Sequence, residues 1–154
     1  MSTHSERPAG GMPFARCGGR LALALREAGW AVIPRVLEGA WPWPDDVDLA
    51  TAARYIAALP DGALVVADGL AFGTLAAVVK PHARRLRWLA LVHHPLHLET
   101  GLDAADSARL RASEAQALQL ARQVVVTSRR TVGDLVALGV PPARVAVVEP
   151  GTDP

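Results

Sequence analysis

This sequence has little of several residue types, and each shortage excludes a class of protein. A single cysteine, Cys17, among 154 residues rules out an internal disulfide and is typical of a reducing compartment. Aromatic residues make up only 5% of the chain, whereas 51% of it is apolar, so its core is expected to consist mainly of Ala, Leu and Val. The formal net charge is +1, which gives no electrostatic reason to expect a nucleic-acid partner.

Long apolar runs are also missing. Residues 1–8 are polar and contain no apolar core of a signal peptide. The longest uncharged run, Gly69 to Val79, is too short to cross a bilayer. We therefore expect a soluble, cytoplasmic protein.

The glycine fingerprint of dinucleotide-binding enzymes is absent as well. Two glycine pairs, Gly10-Gly11 and Gly18-Gly19, precede the first predicted helix, and a glycine loop there could let the backbone approach a phosphate. Neither pair forms Gly-x-Gly-x-x-Gly, and no strand precedes them. A nicotinamide-dependent enzyme would also need an acidic residue after a second strand, so this alternative is disfavoured.

What the sequence does contain is an alternation of apolar strands and helices. Near the start, the pattern predicts a helix that ends at Gly29. It then predicts a strand over residues 30–37, which Pro34 restricts to an edge strand or a broken strand. Strands that are apolar on both faces and separated by helices are typical of a parallel sheet covered on both sides. The sequence thus predicts an α/β fold, a three-layer α/β/α Rossmann-like domain with a mainly parallel sheet. The predicted strands are Ala63–Ala67, Trp88–Val92, Val124–Val126 and Val145–Val148, and the predicted helices cover residues 46–59, 72–80, 103–122 and 128–139.

Polar residues follow these strands where the strands end. Asp68 follows the first strand, His93 and His94 follow the second, and Ser128 follows the third. Ligands of open parallel sheets bind beyond the carboxyl ends of the strands, so this edge is the expected site. A neutral imidazole can donate to a hydroxyl or accept a proton near neutral pH, and only one of two successive histidines is expected to face a cleft. The alternative is that both histidines bond to neighbouring loop backbone.

Each of the other candidates has a structural alternative. Asp68 could orient a hydroxyl ligand or simply turn the chain. Ser128 could cap a helix whose free N–H groups face an anion, and it lacks the glycines of a nucleophile elbow. His97 and Glu99 raise the question of a metal, but adjacent histidines before a proline are not a helical His-x-x-x-His pair, so no metal site is expected. Glu114, in the middle of a helix, is interpreted as a solvated or structural carboxylate rather than an acid catalyst.

Taken in order, these motifs resemble the N-terminal domain of family 4-like glycosyltransferases, one half of a GT-B architecture. The likeness covers about Ala40 to Pro154. The similar segments are Asp68–Gly73, Leu91–Leu96, Glu114 with Ala117, Leu118 and Ala121, Val125–Ser128 with Thr131, Gly139–Pro141 and Val147–Pro154.

The resemblance implies two Rossmann-like domains that face each other across a cleft. The N-terminal domain receives the acceptor, and the C-terminal domain binds a nucleotide-sugar, whose sugar is transferred with retention of anomeric configuration and without a metal or other cofactor. By this likeness, His93 or His94 would line the acceptor side as catalytic groups, next to Asp68 and Ser128 as acceptor-binding residues. Gly10 and Gly11 would approach the donor diphosphate.

The same resemblance sets the expected domains and partners. Residues 1–19 would be a poorly matching N-terminal segment with the glycine loop, and residues 20–154 the acceptor-side domain, with the donor domain absent. The expected partners are a nucleotide-sugar donor, bound through a missing or separate C-terminal domain, and a sugar or lipid-linked acceptor. A peripheral contact with a membrane is also expected. Apolar surface next to a missing edge strand predicts self-association. The absence of the donor domain predicts that the chain alone has no activity. The alternative is a non-catalytic Rossmann-like binding module or a gene remnant.

Overall fold

The computed structural model describes residues 14–151, which divide into one unit that ends at Val36 and a second that begins at Leu37. In the first unit, helix α1 (Phe14–Glu27) is followed by Gly29 with a φ of +89°, the left-handed conformation that the predicted helix end requires. The glycine pair Gly10-Gly11 lies outside the described residues.

The strand predicted after α1 was wrong: residues 30–37, all of them described, contain no strand. The guanidinium of Arg26 donates to the Val32 carbonyl at 2.8 Å, which uses an acceptor that a strand partner would need. Pro34 has no N–H to donate to a ladder. The local hydrogen bonding of this segment therefore replaces pairing with a sheet.

The second unit contains a parallel sheet of four strands in the order β1-β2-β3-β4. The register places Ala67 opposite Ala90 and Val92 opposite Val126. All four predicted strands and their parallel sense are confirmed. The strands are β1 (Leu64–Asp68), β2 (Arg87–Val92), β3 (Gln123–Val126) and β4 (Val145–Val147).

Helices connect these strands, and one predicted helix was wrong in its extent. The helix expected over residues 72–80 is two short helices, which Gly73–Leu75 separates. The Asp68 side chain starts the first of them early, because it accepts the Leu70 N–H at 2.9 Å directly after β1. The helices are α2 (Asp46–Ala57), α3 (Gly69–Phe72), α4 (Ala76–Val79), α5 (Ala104–Gln119) and α6 (Arg129–Ala137).

The core lies on one face of the sheet. Trp88, Ala90 and Val92 alternate along β2 and are buried, as are Val124 and Val126 on β3. They pack against apolar residues of all the connecting helices, and the Phe72 and Trp88 ring centroids are 5.6 Å apart. The result is a Rossmann-like α/β/α domain, as predicted. Among residues 14–151, every helix is too short or too polar to cross a membrane. The helical residues in this core are Ala52, Ile56, Phe72, Val79, Ala117, Leu118 and Leu135.

Candidate functional site

The carboxyl edge of the sheet brings two of the predicted site residues together. β1 ends at Asp68 and β2 ends one residue before His93, and the Nε2 atom of His93 lies 3.9 Å from Oδ2 of Asp68. The His93 side chain is 19% exposed and the Asp68 side chain 40% exposed, while the Nε2 atom of His93 is itself buried. We call these two residues the outer pair.

The two oxygens of Asp68 have different neighbours. Oδ1 accepts the Leu70 N–H and so caps α3, while Oδ2 faces the imidazole of His93. A carboxylate that is itself fixed by a backbone hydrogen bond can orient an imidazole. At 3.9 Å the contact is electrostatic and is longer than a hydrogen bond.

A close approach of the backbone makes the outer pair geometrically feasible. A Cβ atom on Gly69 would lie 3.1 Å from the Leu91 carbonyl oxygen and 3.3 Å from a methyl of Val92. A side chain at this position would require the end of β2 to give by a few tenths of an ångström. Gly69 therefore helps to bring Asp68 within reach of His93.

The adjacent histidines diverge. His93 is half-buried against Asp68, whereas His94 is exposed. Pro95 and Leu96 after them are buried, and a short 3-10 turn runs over Leu96–Leu98. We call residues 93–97 the histidine turn.

Ser128 serves the start of its own helix. Its hydroxyl accepts the Arg130 N–H at 3.2 Å, and it is the N-cap of α6, as one of the two sequence interpretations expected. Next to it, Arg129 Nε lies 3.5 Å from Glu149 Oε1, and both of these side chains are exposed. Ser128 is thus a capping residue at the same sheet edge and not a member of the outer pair.

Glu114 lies beneath the histidine turn and is buried. Its side chain is 1% exposed, and Oε2 accepts the Leu96 N–H at 2.9 Å. Burial raises the pKa of Glu114 to about 7, although the hydrogen bond from Leu96 opposes this. The solvated interpretation of Glu114 was wrong. A signal was present in the sequence, because Glu114 shares helical spacing with Leu110, Ala117 and Leu118, the buried face of α5.

The partner of Glu114 is His97. The Nδ1 atom of His97 lies 3.7 Å from Glu114 Oε2, and the His97 side chain is 10% exposed. Burial lowers the pKa of His97, as do the charges of Arg111 and His94, while Asp134 acts in the opposite direction. We call Glu114 and His97 the inner pair.

Two further features complete the surroundings of the turn. A cavity of about 320 Å³ is lined by the Pro42-Trp43-Pro44 segment, by Thr74 and by residues of α5. Two of its lining residues contact each other, since the Arg109 guanidinium lies 4.5 Å from the centre of the Trp43 ring. No group of three or more His, Cys, Asp or Glu side chains within residues 14–151 is placed to hold a metal ion. The lining residues are Pro42, Trp43, Pro44, Thr74, Arg109, Leu110 and Ser113.

Comparison with known proteins gives one match. A family model described as Glycosyltransferase Family 4 matches residues 17–154. No curated protein and no solved structure gives a significant match. The matched range includes both the outer and the inner pair.

Proposed function

Since the chain belongs to glycosyltransferase family 4, we propose that it forms the acceptor-side domain of a retaining enzyme, one that transfers a sugar from a nucleotide-sugar to an acceptor hydroxyl. The family match supports the general activity. The polar carboxyl edge of the parallel sheet supports the acceptor role, because ligands of such sheets bind there. The assignment of acceptor, donor and stereochemistry is our proposal.

The observation that carries this proposal is the outer pair. The His93 side chain is 19% exposed and its buried Nε2 atom lies 3.9 Å from a carboxylate oxygen, so we propose that this ring contacts the hydroxyl that attacks the anomeric carbon or a hydroxyl of the transferred sugar. In this transfer the acceptor oxygen forms a bond to the anomeric carbon as the bond to the donor phosphate breaks, and the acceptor proton must leave. We assign His93 to contact with the reacting hydroxyls, and His94 to a second contact from the exposed side of the turn. Asp68 would orient the His93 ring, and Ser128 would present the start of α6 to the acceptor.

The donor is assigned to a second domain, either on the same longer polypeptide or on a separate chain. Gly10 and Gly11 would approach its diphosphate from this side of the cleft. A single cysteine in the sequence supports a reducing, cytoplasmic location, where nucleotide-sugars and a lipid-linked acceptor at a membrane surface could both be reached.

Self-association belongs to the same proposal. Within the described part of the chain, β1 pairs with β2 alone, and its residues Leu64 and Val66 are 45% and 42% exposed. An edge strand with exposed apolar side chains is a surface on which a second strand can add. Sedimentation of the purified chain should therefore show dimers or larger species at high concentration, and a monomer throughout would contradict this part.

The test of the function is a transfer assay with and without a donor-binding half. We expect residues 1–154 alone to transfer no sugar from a panel of nucleotide-sugars, and a C-terminal glycosyltransferase half added in trans or fused to restore transfer. In the reconstituted enzyme, His93→Ala should lower kcat/KM by about a hundredfold, the size typical for a lost acid or base group. Gln116→Ala, on the exposed side of α5, is the matched control and should retain full activity. A folded, reconstituted protein that transfers nothing would instead favour a non-catalytic binding module.

A further inference from the structure

The backbone that carries His93 and His94 is tied at both of its ends. On one side, Val92 belongs to β2 and is paired in register with Val126 of β3. On the other side, the Leu96 N–H donates to the Glu114 carboxyl at 2.9 Å. Only three residues lie between these two fixed points, so the position of the Leu96 amide constrains where the histidine rings can lie.

A carboxyl group at this depth needs an explanation. Glu114 sits on the apolar face of α5, with 1% of its side chain exposed, where a leucine would pack at no electrostatic cost. An unpaired carboxylate there would be strongly unfavourable, and a buried polar group is tolerated when it is hydrogen-bonded. Its neighbours are the Leu96 amide and the His97 ring, both of the histidine turn. The placement of Glu114 is therefore matched to that turn.

Other contacts hold the same turn against the same helix. The Ser107 hydroxyl of α5 donates to the His97 carbonyl at 2.9 Å. The Leu96 side chain packs on Gly73, whose carbonyl accepts the Ser113 hydroxyl of α5 at 2.7 Å. Helix α5 thus contacts the turn or its support at three positions, Ser107, Ser113 and Glu114, which lie within about two helical turns.

We propose that Glu114 is a positioning residue for the site. Its buried carboxyl holds the Leu96 amide, faces the His97 ring, and so fixes the backbone from which His93 meets Asp68. Its consequence for catalysis rests on the proposed function, whereas the geometric role does not. Glu114 acts through the turn and does not touch a substrate.

The protonation chemistry of the inner pair is consistent with this role. A protonated carboxyl keeps one carbonyl oxygen that can accept the Leu96 N–H. Because the pKa of Glu114 is raised to about 7, its carboxyl is about half protonated near neutral pH, and the lowered pKa of His97 favours the neutral ring. The charged groups that act on His97 are Arg111, Asp134 and His94. The Leu96 bond is therefore retained in either state of Glu114.

The experiment uses the full 154-residue chain labelled with 15N in its histidines and leucines, and it measures the imidazole signals and the Leu96 amide exchange by NMR. Glu114→Gln keeps an oxygen that accepts the Leu96 N–H, so the His93 and His94 ring signals should stay in place while the titration of His97 changes. Glu114→Ala removes the acceptor, so Leu96 amide exchange should accelerate about tenfold, the effect of one lost buried hydrogen bond, and the His93 and His94 signals should shift. Gln116→Ala and Glu99→Gln, both at exposed positions, are the controls and should change none of these signals.

Several results would overturn the proposal. One such result is that Glu114→Ala unfolds at a lower temperature but keeps the Leu96 exchange rate and the His93 and His94 signals of the Gln116→Ala control. This would show that Glu114 has a role in stability alone. If Glu114→Ala does not fold, an unchanged His97 titration in Glu114→Gln would overturn it as well. No sugar enters these measurements, so a failed transfer assay would contradict the proposed function and leave this inference unaffected. Equally, a failure of the NMR prediction would contradict this inference and leave the proposed function unaffected.

Discussion

Two carboxylate–imidazole pairs lie on opposite sides of one short turn, and they have nearly the same separation. In the outer pair, Asp68 and His93 are 3.9 Å apart with 40% and 19% of their side chains exposed; in the inner pair, Glu114 and His97 are 3.7 Å apart with 1% and 10% exposed. The chemistry of the groups is equivalent, so burial separates their roles. The outer pair can meet a ligand, whereas the inner pair can only hold the chain that carries the outer one.

The comparison also shows what burial costs. Desolvation moves the pKa of Glu114 up to about 7 and the pKa of His97 down, since both neutral forms are favoured away from water. One pKa unit corresponds to about 1.4 kcal/mol, so the inner pair makes stability depend on pH. Changes that alter one pair and leave the other should therefore have separable effects.

The largest expected effect is a pH dependence of stability that comes from Glu114. Because its folded-state pKa is raised from 4.5 to about 7, the folded chain binds more protons than the unfolded chain between these values. The free energy of unfolding should consequently fall as pH rises through this window, by on the order of 3 kcal/mol from this group. His97 acts in the opposite sense, since its lowered pKa costs stability as pH falls below about 6.5.

Urea denaturation of the chain and of Glu114→Gln from pH 4.5 to pH 8 measures this contribution. The variant should lose the decline, so the difference in unfolding free energy between the two proteins should change steadily across the window. Glu99→Gln is the control at an exposed carboxylate, and its curve should run parallel to that of the parent chain. Parallel curves for Glu114→Gln would show that the buried carboxyl is not desolvated as described.

The next effect concerns Gly73, which packs against the Leu96 side chain of the histidine turn. A Cβ atom on Gly73 would lie 2.6 Å from a Leu96 methyl and 3.1 Å from the Gly69 carbonyl oxygen, so Gly73→Ala should destabilise the fold by about 1–3 kcal/mol through overpacking. Gly133, inside α6, has nothing within 4 Å of its Cβ position, and Gly133→Ala should instead stabilise by up to about 1 kcal/mol. Thermal unfolding of both variants gives the two signs, and equal shifts would argue against tight packing at Gly73.

The smallest effect concerns the outer pair. Asp68→Ala should cost about 1 kcal/mol, because α3 loses its N-cap, while Asp68→Asn keeps an oxygen for the Leu70 N–H and should change stability by only a few tenths. Ser128→Ala, which removes the N-cap of α6, is the comparison at a capping residue outside the pair and should cost a similar amount. Chemical denaturation measures all three. A loss of several kcal/mol in Asp68→Asn would mean that the outer pair is structural.

The sequence predicted the sheet well, because its strands are short apolar runs bounded by turn residues. Val124–Val126 and Trp88–Val92 have no competing interpretation, and parallel pairing follows from the helices between them. The segment after Gly29 has a similar apolar content but forms no strand, since Arg26 takes the Val32 carbonyl. The segment over residues 72–80 has helical composition, but packing of Leu96 on Gly73 accompanies its division into two short helices. A nearby side chain overrode the strand preference in the first segment, and a contact from elsewhere in the chain accompanies the break in the second.

The candidate site was predicted in part. Asp68 and His93 were selected because they follow strands, and the register of a parallel sheet brought them together. Glu114 was selected only as a motif residue, although its spacing with Leu110 and Leu118 indicated a buried position. Spacing along a helix shows which face a residue occupies, but it does not show what lies opposite. The Leu96 amide, 18 residues earlier in the chain, could not be identified as its partner.

By itself, the sequence determined the order of strands and helices, the residues that cap them, and the edge at which the polar side chains lie. These depend on backbone preferences and on apolar periodicity, which act over a few residues. The tertiary structure decided which carboxylate faces solvent and which is enclosed, and with it the pKa of Glu114 and the support of the histidine turn. Desolvation depends on every atom that surrounds a group, and those atoms come from parts of the chain that only folding brings together.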